Sequence, residues 1–235
     1  MLKLIKLEYK KNNISKYIRN ALILSVLLAI FFFAFVFLGI ANDPETGIPD
    51  AASDANGVTV NVELITSIAY MIFAAAMHAS FTISSYKNNT MNLMFSYPIK
   101  RRQILVSQMA GVWLFSFVAL SLTKLAIFGM IAICGQFMTP AFIIDYDILS
   151  ISFYILLLIK SVMTVSISLI ALFVGLLLKS SKAALVTSFL LIILMQGNLG
   201  GVELADNILL PTILTIISFL FAYLTTQNIE TRDIG

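Results

Sequence analysis

The chain has 235 residues, of which 60% are apolar and 11% are charged; an ordinary soluble domain is about 45–50% apolar and about 25% charged. Too little polar surface remains to cover a soluble fold, which excludes a soluble enzyme, a nucleic-acid-binding domain and a disordered chain. A single cysteine (Cys134) and a single histidine (His78) exclude a disulfide framework, a zinc cluster and Cys/His catalysis, and the net charge of +3 is informative mainly through its placement.

Long runs with few charges predict helices that cross a membrane. Four runs contain no charged side chain and two contain one lysine each; in chain order they are 20–42, 64–86, 103–144 (with Lys124), 148–178 (with Lys160), 183–202 and 208–229. Each reaches the ~20 residues that a helix needs to cross a bilayer. The runs do not alternate in polarity as barrel strands do, and helices close their backbone hydrogen bonds within lipid. The sequence therefore predicts an all-α integral membrane protein, a single domain over 1–235 with six transmembrane helices.

The placement of Lys and Arg predicts the orientation. Thirteen of these fifteen residues lie before the first run, in the second and fourth connections and in the tail, and the first, third and fifth connections have none. The positive-inside rule therefore places both termini in the cytoplasm. A second crossing within 103–144 would put Lys179 and Lys182 outside, so one crossing is preferred there. The first apolar run is longer than that of a signal peptide and is read as a retained anchor.

Residues 1–19 form a basic leader. Two sets of side chains repeat with helical spacing: Lys3, Lys6 and Lys10 on one face, and Leu2, Ile5 and Tyr9 on another. This pattern predicts an N-terminal helix that lies in the membrane interface. The alternative is a basic segment that only fixes the topology.

The second connection, 86–103, predicts a short cytoplasmic helix. Asn88, Asn89 or Thr90 can cap it, and Pro98 ends it, which leaves about two turns over 90–96. Met91, Met94 and Phe95 share one face, which suits insertion into a groove of a partner protein. Three basic residues (Lys100, Arg101 and Arg102) then anchor the next span at the anionic inner leaflet. The alternative is an ordinary amphipathic turn at the membrane surface.

Three polar residues lie within the predicted spans. His78 is interpreted as a hydrogen-bonded packing residue, with a proton relay as the alternative. Lys124 and Lys160 lie about 30 Å and about 27 Å from the predicted cytoplasmic edge, near the outer boundary. They either snorkel to outer headgroups or pair with Asp145 or Asp147, or they line an outer cavity that contacts cargo. The apolar stretch 125–159 exceeds one bilayer thickness and predicts helix extensions or a re-entrant piece.

The sequence contains no motif for bond chemistry. The P-loop pattern, H-E-x-x-H and G-x-S-x-G are all absent, so no nucleotide site, metal or cofactor is predicted in this chain. No acidic residue lies in the six predicted spans, which argues against an ion-coupled carrier.

The second connection resembles the corresponding segment of bacterial ABC exporter permeases of the ABC-2 superfamily. Those permeases often have an acidic residue, Gly-Thr, a leucine-rich turn and Pro-[IV]-x-[RK]-[RK]. The matching residues here are Thr90, Leu93, Pro98, Ile99, Arg101 and Arg102. The chain departs from the pattern at Asn89, where the glycine is usual, and lacks the acid around 84–86. Six spans, cytoplasmic termini and a basic leader extend the resemblance over the whole chain.

The resemblance implies a non-catalytic membrane subunit of an ATP-driven exporter in the bacterial cell membrane. Two permease chains, identical or sister, would each dock a separate ATPase that binds ATP and Mg²⁺. The implied coupling residues are Thr90, Met91, Leu93, Met94, Phe95, Pro98, Lys100, Arg101 and Arg102. Permeases of lantibiotic immunity, bacitracin resistance and amphipathic-peptide export are of this size, which implies a peptide cargo. The alternatives are a carrier or channel that works without nucleotide, and a sensor or assembly subunit without transport activity.

Overall fold

A computed structural model describes most of the chain, namely residues 2–37, 58–83, 101–137, 146–196, 198–199, 202–203 and 209–231. Seven α-helices lie in these ranges: α1 (Leu2–Lys11), α2 (Ile14–Phe37), α3 (Val58–His78), α4 (Arg101–Cys134), α5 (Ile151–Leu177), α6 (Ser181–Gln196) and α7 (Leu209–Thr231). Helix α3 continues into a π-helical turn, Ala79–Ile83. Two strands of two residues each, β1 (Asn198–Leu199) and β2 (Val202–Glu203), pair antiparallel with Asn198 opposite Glu203.

Five helices of the described ranges are long and apolar enough to cross a membrane: Ile14–Phe37, Val58–Ile83, Arg102–Cys134, Ile151–Leu177 and Leu210–Gln227. The chain is therefore an all-α, multi-pass membrane protein, as its composition predicts. The remaining predicted span, 183–202, corresponds to α6, whose 16 residues extend only about 24 Å, less than the ~30 Å of a bilayer core. Helix α4 runs without a break over 34 residues, about 51 Å, so 125–134 is a helix extension.

Large apolar side chains cover the outside of several helices. On α2, Leu22 and Ile30 are each 61% exposed and Val26 is 57% exposed, at a spacing of four residues. A contiguous exposed apolar surface of this kind would be unfavourable in water and is the surface that lipid covers.

The chain divides into two compact units. Unit 1 comprises Met1–Tyr17, Ile68–Phe117 and Val162–Gly235, and unit 2 comprises Ile18–Ser67 and Val118–Ser161.

In unit 1, buried apolar side chains from α3, α5, α6 and α7 meet around Met71, Ile170, Ile192 and Leu214. Phe173 and Phe221 stack with ring centroids 4.6 Å apart, which adds an α5–α7 contact. Burial of each such side chain stabilises the fold by roughly 1.5–3 kcal/mol in water; within lipid, close packing takes over this role.

In unit 2, three aromatic rings pack between α4 and α5. Phe128 lies 4.8 Å from Tyr146 and 5.0 Å from Phe153, measured between ring centroids. The Tyr146 hydroxyl donates to the Phe128 carbonyl oxygen at 3.0 Å. The hydroxyl is thereby paired while the rings fill space, the arrangement that buried tyrosines favour.

Among the described residues, two helix ends have a non-glycine residue in the left-handed region, Asn13 (φ 51°) after α1 and Lys179 (φ 47°) after α5. After α5, the Ser180 N–H donates to the Gly175 carbonyl at 3.0 Å and the Lys179 N–H to the Leu176 carbonyl at 3.2 Å, which is a Schellman cap. Gly175 itself lies against α6, since a Cβ there would fall 2.8 Å from the Ala184 Cβ and would also meet the Ile83 Cδ1. The missing side chain therefore permits the close approach of α5, α6 and the π-helical turn.

Candidate functional site

Most of the predicted coupling segment lies outside the described residues: Thr90, Met91, Leu93, Met94, Phe95, Pro98 and Lys100. Arg101 and Arg102 form the first residues of α4, and the Arg102 side chain is exposed. The described neighbours of this segment are the π-helical turn, which ends at Ile83, and the start of α4.

These two flanking elements pack against each other within unit 1. Ala79 and Ile83 of the π-helical turn belong to one buried apolar cluster with Leu105 and Met109 of α4. The end of α3 and the start of α4, which precede and follow residues 84–100, therefore share one packed core.

The leader helix α1 is hydrogen-bonded to α4. The Tyr9 hydroxyl donates to the Gly111 carbonyl oxygen at 2.6 Å, and the Gln108 Nε2 donates to Glu8 Oε1 at 3.2 Å. Gly111 has no side chain, so the Tyr9 ring comes within 3.2 Å of the place where a Cβ would lie. Burial raises the pKa of the Tyr9 phenol above its ordinary value of about 10. A neutral, hydrogen-bonded tyrosine is therefore part of this contact.

Helix α2 continues this contact onto the end of α3. The Tyr17 hydroxyl donates to Ser80 Oγ at 2.6 Å, and its ring lies edge-on to Phe81 with centroids 5.2 Å apart. The leader and the start of α2 thus contact both elements that flank residues 84–100.

The leader is a helix, as predicted, but only its basic face has the predicted surroundings. Its basic face, Lys3, Lys6 and Lys10, is exposed, as predicted. Its apolar face, by contrast, packs on protein, because Ile5 is buried against Gly111. Sequence reasoning also missed Glu8, which is only 5% exposed and whose Oε2 accepts from Asn12 Nδ2 at 3.3 Å. The sequence did contain a signal for this contact, since Glu8 is the one acidic residue among the basic residues of 1–19.

An ion pair lies within unit 2. Lys124 Nζ donates to Glu63 Oε2 at 2.6 Å, and the side chains are 0% and 12% exposed. Glu63 lies five residues into α3 and Lys124 ten residues before the end of α4, so the antiparallel direction of the two helices brings them to one level.

Two predictions about this region are wrong. Lys124 neither snorkels nor pairs with Asp147, because it is fully buried on Glu63 and Asp147 Oδ1 accepts from the Leu149 N–H; Asp145 lies outside the described residues. The prediction of acid-free spans is also wrong, because Glu63 belongs to the spanning helix Val58–Ile83.

Lys160 is the second lysine within the predicted spans. It is half-buried on α5, and its positive charge is close enough to repel that of Lys124. Among neighbouring hydroxyls, Thr66 Oγ1 donates to the Val62 carbonyl at 2.6 Å, and Ser25 Oγ and Thr123 Oγ1 share a hydrogen bond. The structure thus brings the two predicted cargo lysines near each other and adds Glu63.

His78 lies at the end of α3 and is 0% exposed. Neither ring nitrogen has a hydrogen-bond partner among the described residues, which differs from the hydrogen-bonded packing residue that the sequence predicts. Within the same residues, no group of three His, Cys, Asp or Glu side chains could hold a metal ion.

The chain is similar to the uncharacterized protein YcbO of Bacillus subtilis (strain 168), with 22% identity over 238 residues, 98% of this chain and 99% of the relative. No protein-family model and no solved structure matches the chain. The similarity extends over the full length of both proteins.

Proposed function

We propose that the chain is the membrane subunit of an ATP-driven exporter of antimicrobial or amphipathic peptides, in the bacterial cell membrane. A separate ATPase would bind ATP and Mg²⁺ and dock on the predicted coupling segment, residues 86–103. A second permease chain, identical or sister, would complete the pathway. This chain would perform no bond chemistry.

The observation that supports this proposal best is the arrangement around the coupling segment. Residues 84–100 connect the π-helical turn to α4, and these two elements are in turn contacted by Tyr9 and Tyr17. A force applied to the segment would therefore act on α3, α4 and the leader together. Helix α4 continues unbroken from Arg101 to Cys134, so a displacement at its first turn is transmitted along a stiff element.

A second candidate function is an ion-coupled carrier, and the Glu63–Lys124 pair favours it. Ionisable groups inside a membrane are costly, and they commonly mark ion or proton pathways. A carboxylate paired with a lysine can exchange its partner for a proton or a cation, which is how a gradient drives such carriers.

The two candidates differ in their dependence on the coupling segment. In the exporter, the Met91, Met94 and Phe95 face is buried in the ATPase, so Met94→Asp with Phe95→Asp removes apolar contacts worth roughly 1.5–3 kcal/mol per side chain and adds unpaired charge. We expect normal membrane levels, loss of the co-purifying ATPase and loss of peptide tolerance.

A matched control adds the same charges to the opposite face of the predicted helix, with Asn92→Asp and Ser96→Asp. This control is expected to retain the ATPase. If the Met94 and Phe95 variant also keeps its ATPase and its transport, the exporter proposal is wrong. Transport that then persists without ATP and stops when the proton or sodium gradient is collapsed would identify the carrier.

A further inference from the structure

Four uncharged polar side chains are buried in unit 1, and each has at least one nitrogen or oxygen atom without a hydrogen-bond partner. They are His78 (Nδ1 and Nε2), Thr82 (Oγ1), Gln108 (Oε1) and Ser116 (Oγ), and none of these atoms has a partner among the described residues. All four side chains are 0% exposed. The Gln108 amide nitrogen is satisfied by Glu8, which leaves its carbonyl oxygen to another partner.

These four residues come from the elements that form the α3–α4 interface, residues 77–83 and 105–116. Its apolar contacts include two groups: Met77, Phe81 and Val112 in one, and Ala79, Ile83, Leu105 and Met109 in the other. On the α3 side, His78 and Thr82 are four residues apart and lie between these two groups around the helix. On α4, Gln108 and Ser116 lie four residues before and after Val112, on the same side of the helix. Ala79 and Ile83 group with Leu105 and Met109, and Met77 and Phe81 group with Val112, which places Gln108 at the level of His78 and Thr82. Ser116 lies on the same side of α4 but about 12 Å farther along the helix axis than Gln108.

An apolar interface does not tolerate such groups without partners. Burial removes a polar group from water, and the lost hydrogen bonds have to be replaced for the fold to be stable. The π-helical turn at Ala79–Ile83 increases the need for hydrogen-bond partners here, since it departs from the regular α-helical pattern of backbone hydrogen bonds. Such departures are often accompanied by a side chain or a water that inserts into the helix.

The chemistry of the three groups at one level indicates the ligand. A neutral imidazole offers one donor and one acceptor, the Thr82 hydroxyl offers both, and the Gln108 oxygen accepts. None of the three is charged, and the carboxylate of Glu8 is already hydrogen-bonded to the amide nitrogens of Gln108 and Asn12, so these groups suit a neutral ligand that both donates and accepts. A buried water molecule makes about three hydrogen bonds to groups of this kind.

We propose that the α3–α4 interface contains a buried water site, with the imidazole of His78 as its central ligand and Thr82 and Gln108 as the other ligands. The site would lie in the membrane-embedded part of unit 1, directly before residues 84–100. It is independent of whether the chain works with an ATPase or as a carrier.

The single histidine of the chain makes the site directly observable. The protein is purified through a tag without histidine, labelled with ¹⁵N-histidine and placed in lipid nanodiscs. We expect both ring nitrogens to have hydrogen-bonded chemical shifts and the ring to show magnetisation transfer from water protons. A ring nitrogen with the shift of a free acceptor and no transfer from water would mean a dry site. Hydrogen-bonded nitrogens without contact to water would mean a protein partner. Either result overturns the proposal.

Thr82→Val provides a second test because valine has the shape of threonine. If Thr82 binds water, the variant loses a hydrogen bond and its melting midpoint falls by about 2–4 °C. If the interface is dry, removal of an unpaired hydroxyl raises the midpoint, and the proposal is wrong.

Thr66→Val is the matched control. Thr66 is equally buried on α3, but its hydroxyl already donates to the Val62 carbonyl at 2.6 Å. Since a hydrogen bond to the residue's own helix adds little stability, we expect this variant to melt close to the unmodified chain.

Discussion

The two compact units accommodate polar groups in their interiors by different means. In unit 2, the buried ammonium of Lys124 is matched by the opposite charge of Glu63 at 2.6 Å. In unit 1, the buried carboxylate of Glu8 has amide donors instead, from Asn12 and Gln108, and His78 is buried as an uncharged ring.

This difference has consequences for how each unit responds to change. Breaking a buried ion pair leaves a charge without a partner and costs about 3–5 kcal/mol. A hydrogen bond contributes only about 0.5–1.5 kcal/mol between neutral groups and about 1.5–3 kcal/mol to a charged group such as Glu8. We therefore expect loss of either partner of the Glu63–Lys124 pair to destabilise unit 2 strongly, and loss of one hydrogen bond to destabilise unit 1 only slightly. The elements that flank residues 84–100 belong to unit 1.

The largest effect should follow from removal of one charge in unit 2. Lys124→Met leaves Glu63, whose side chain is only 12% exposed, without its partner. We therefore expect a loss of about 3–5 kcal/mol, seen as a much lower melting midpoint and reduced protein in the membrane. The double variant Glu63→Leu with Lys124→Met should recover most of this stability, because both charges are removed together. A single variant as stable as the unmodified chain would show that the pair is not a structural requirement, and the contrast between the units would disappear.

The positions of the helices could largely be predicted from the sequence, but their ends could not. The charge-free run 64–86 corresponds to the described span Val58–Ile83, and 20–42 to Ile14–Phe37. A charged residue ends a hydropathic run without ending a helix, so Lys16 and Arg19 lie within α2 and Glu63 lies within α3. The same effect concealed the ion pair, since Glu63 lies one residue before the predicted run 64–86.

The candidate site was predictable only in part. The depth of Lys124 follows from its distance along α4, but its partner depends on the register between two helices, which hydropathy does not contain. The short α6 was also missed, because the apolar run 183–202 includes Asn198 and Leu199, which form β1 rather than helix. The coupling residues 90–100 stay a prediction.

The next effect concerns close packing, for which glycines in the two units behave differently. Gly175→Ala in unit 1 puts a Cβ 2.8 Å from the Ala184 Cβ and into contact with Ile83, and overpacking of this kind costs about 1–3 kcal/mol. Gly129→Ala in unit 2 is the control, since nothing lies within 4 Å of its Cβ position and alanine improves helix propensity by up to about 1 kcal/mol. Melting midpoints should shift in opposite directions; a shift in the same direction would mean that α5 and α6 can move apart freely.

A smaller effect should follow from loss of the neutral hydrogen bond that holds the leader. Tyr9→Phe removes the 2.6 Å bond to the Gly111 carbonyl and should cost about 0.5–1.5 kcal/mol. Because burial raises the pKa of Tyr9 in the folded protein, the unfolded chain loses this proton first as the pH rises. The stabilisation by Tyr9 is therefore complete below about pH 10 and declines above it.

The measurement is the difference in melting midpoint between the unmodified chain and Tyr9→Phe at several pH values. The difference should be constant up to about pH 9 and should shrink above about pH 10. A difference that grows with pH would mean that the phenolate is stabilised in the fold, contrary to the neutral contact described for unit 1.

The smallest effect concerns Lys179, which ends α5 in the left-handed region at φ 47°. A residue with a Cβ is strained there by roughly 1–2 kcal/mol, and glycine relieves this strain while it adds entropy to the unfolded chain. The strain relieved exceeds the added entropy by about 0.5–1 kcal/mol, so we expect Lys179→Gly to stabilise unit 1 by this amount. The Ser180 and Lys179 N–H groups still donate to the Gly175 and Leu176 carbonyls. Lys182→Gly is the charge-matched control: it also removes one exposed lysine, but from the first turn of α6, where glycine relieves no strain and costs less than the roughly 1 kcal/mol of a helix interior. If the two variants melt at the same temperature, the left-handed conformation of Lys179 does not destabilise the fold. Substitution at the link between α5 and α6 then cannot stabilise unit 1.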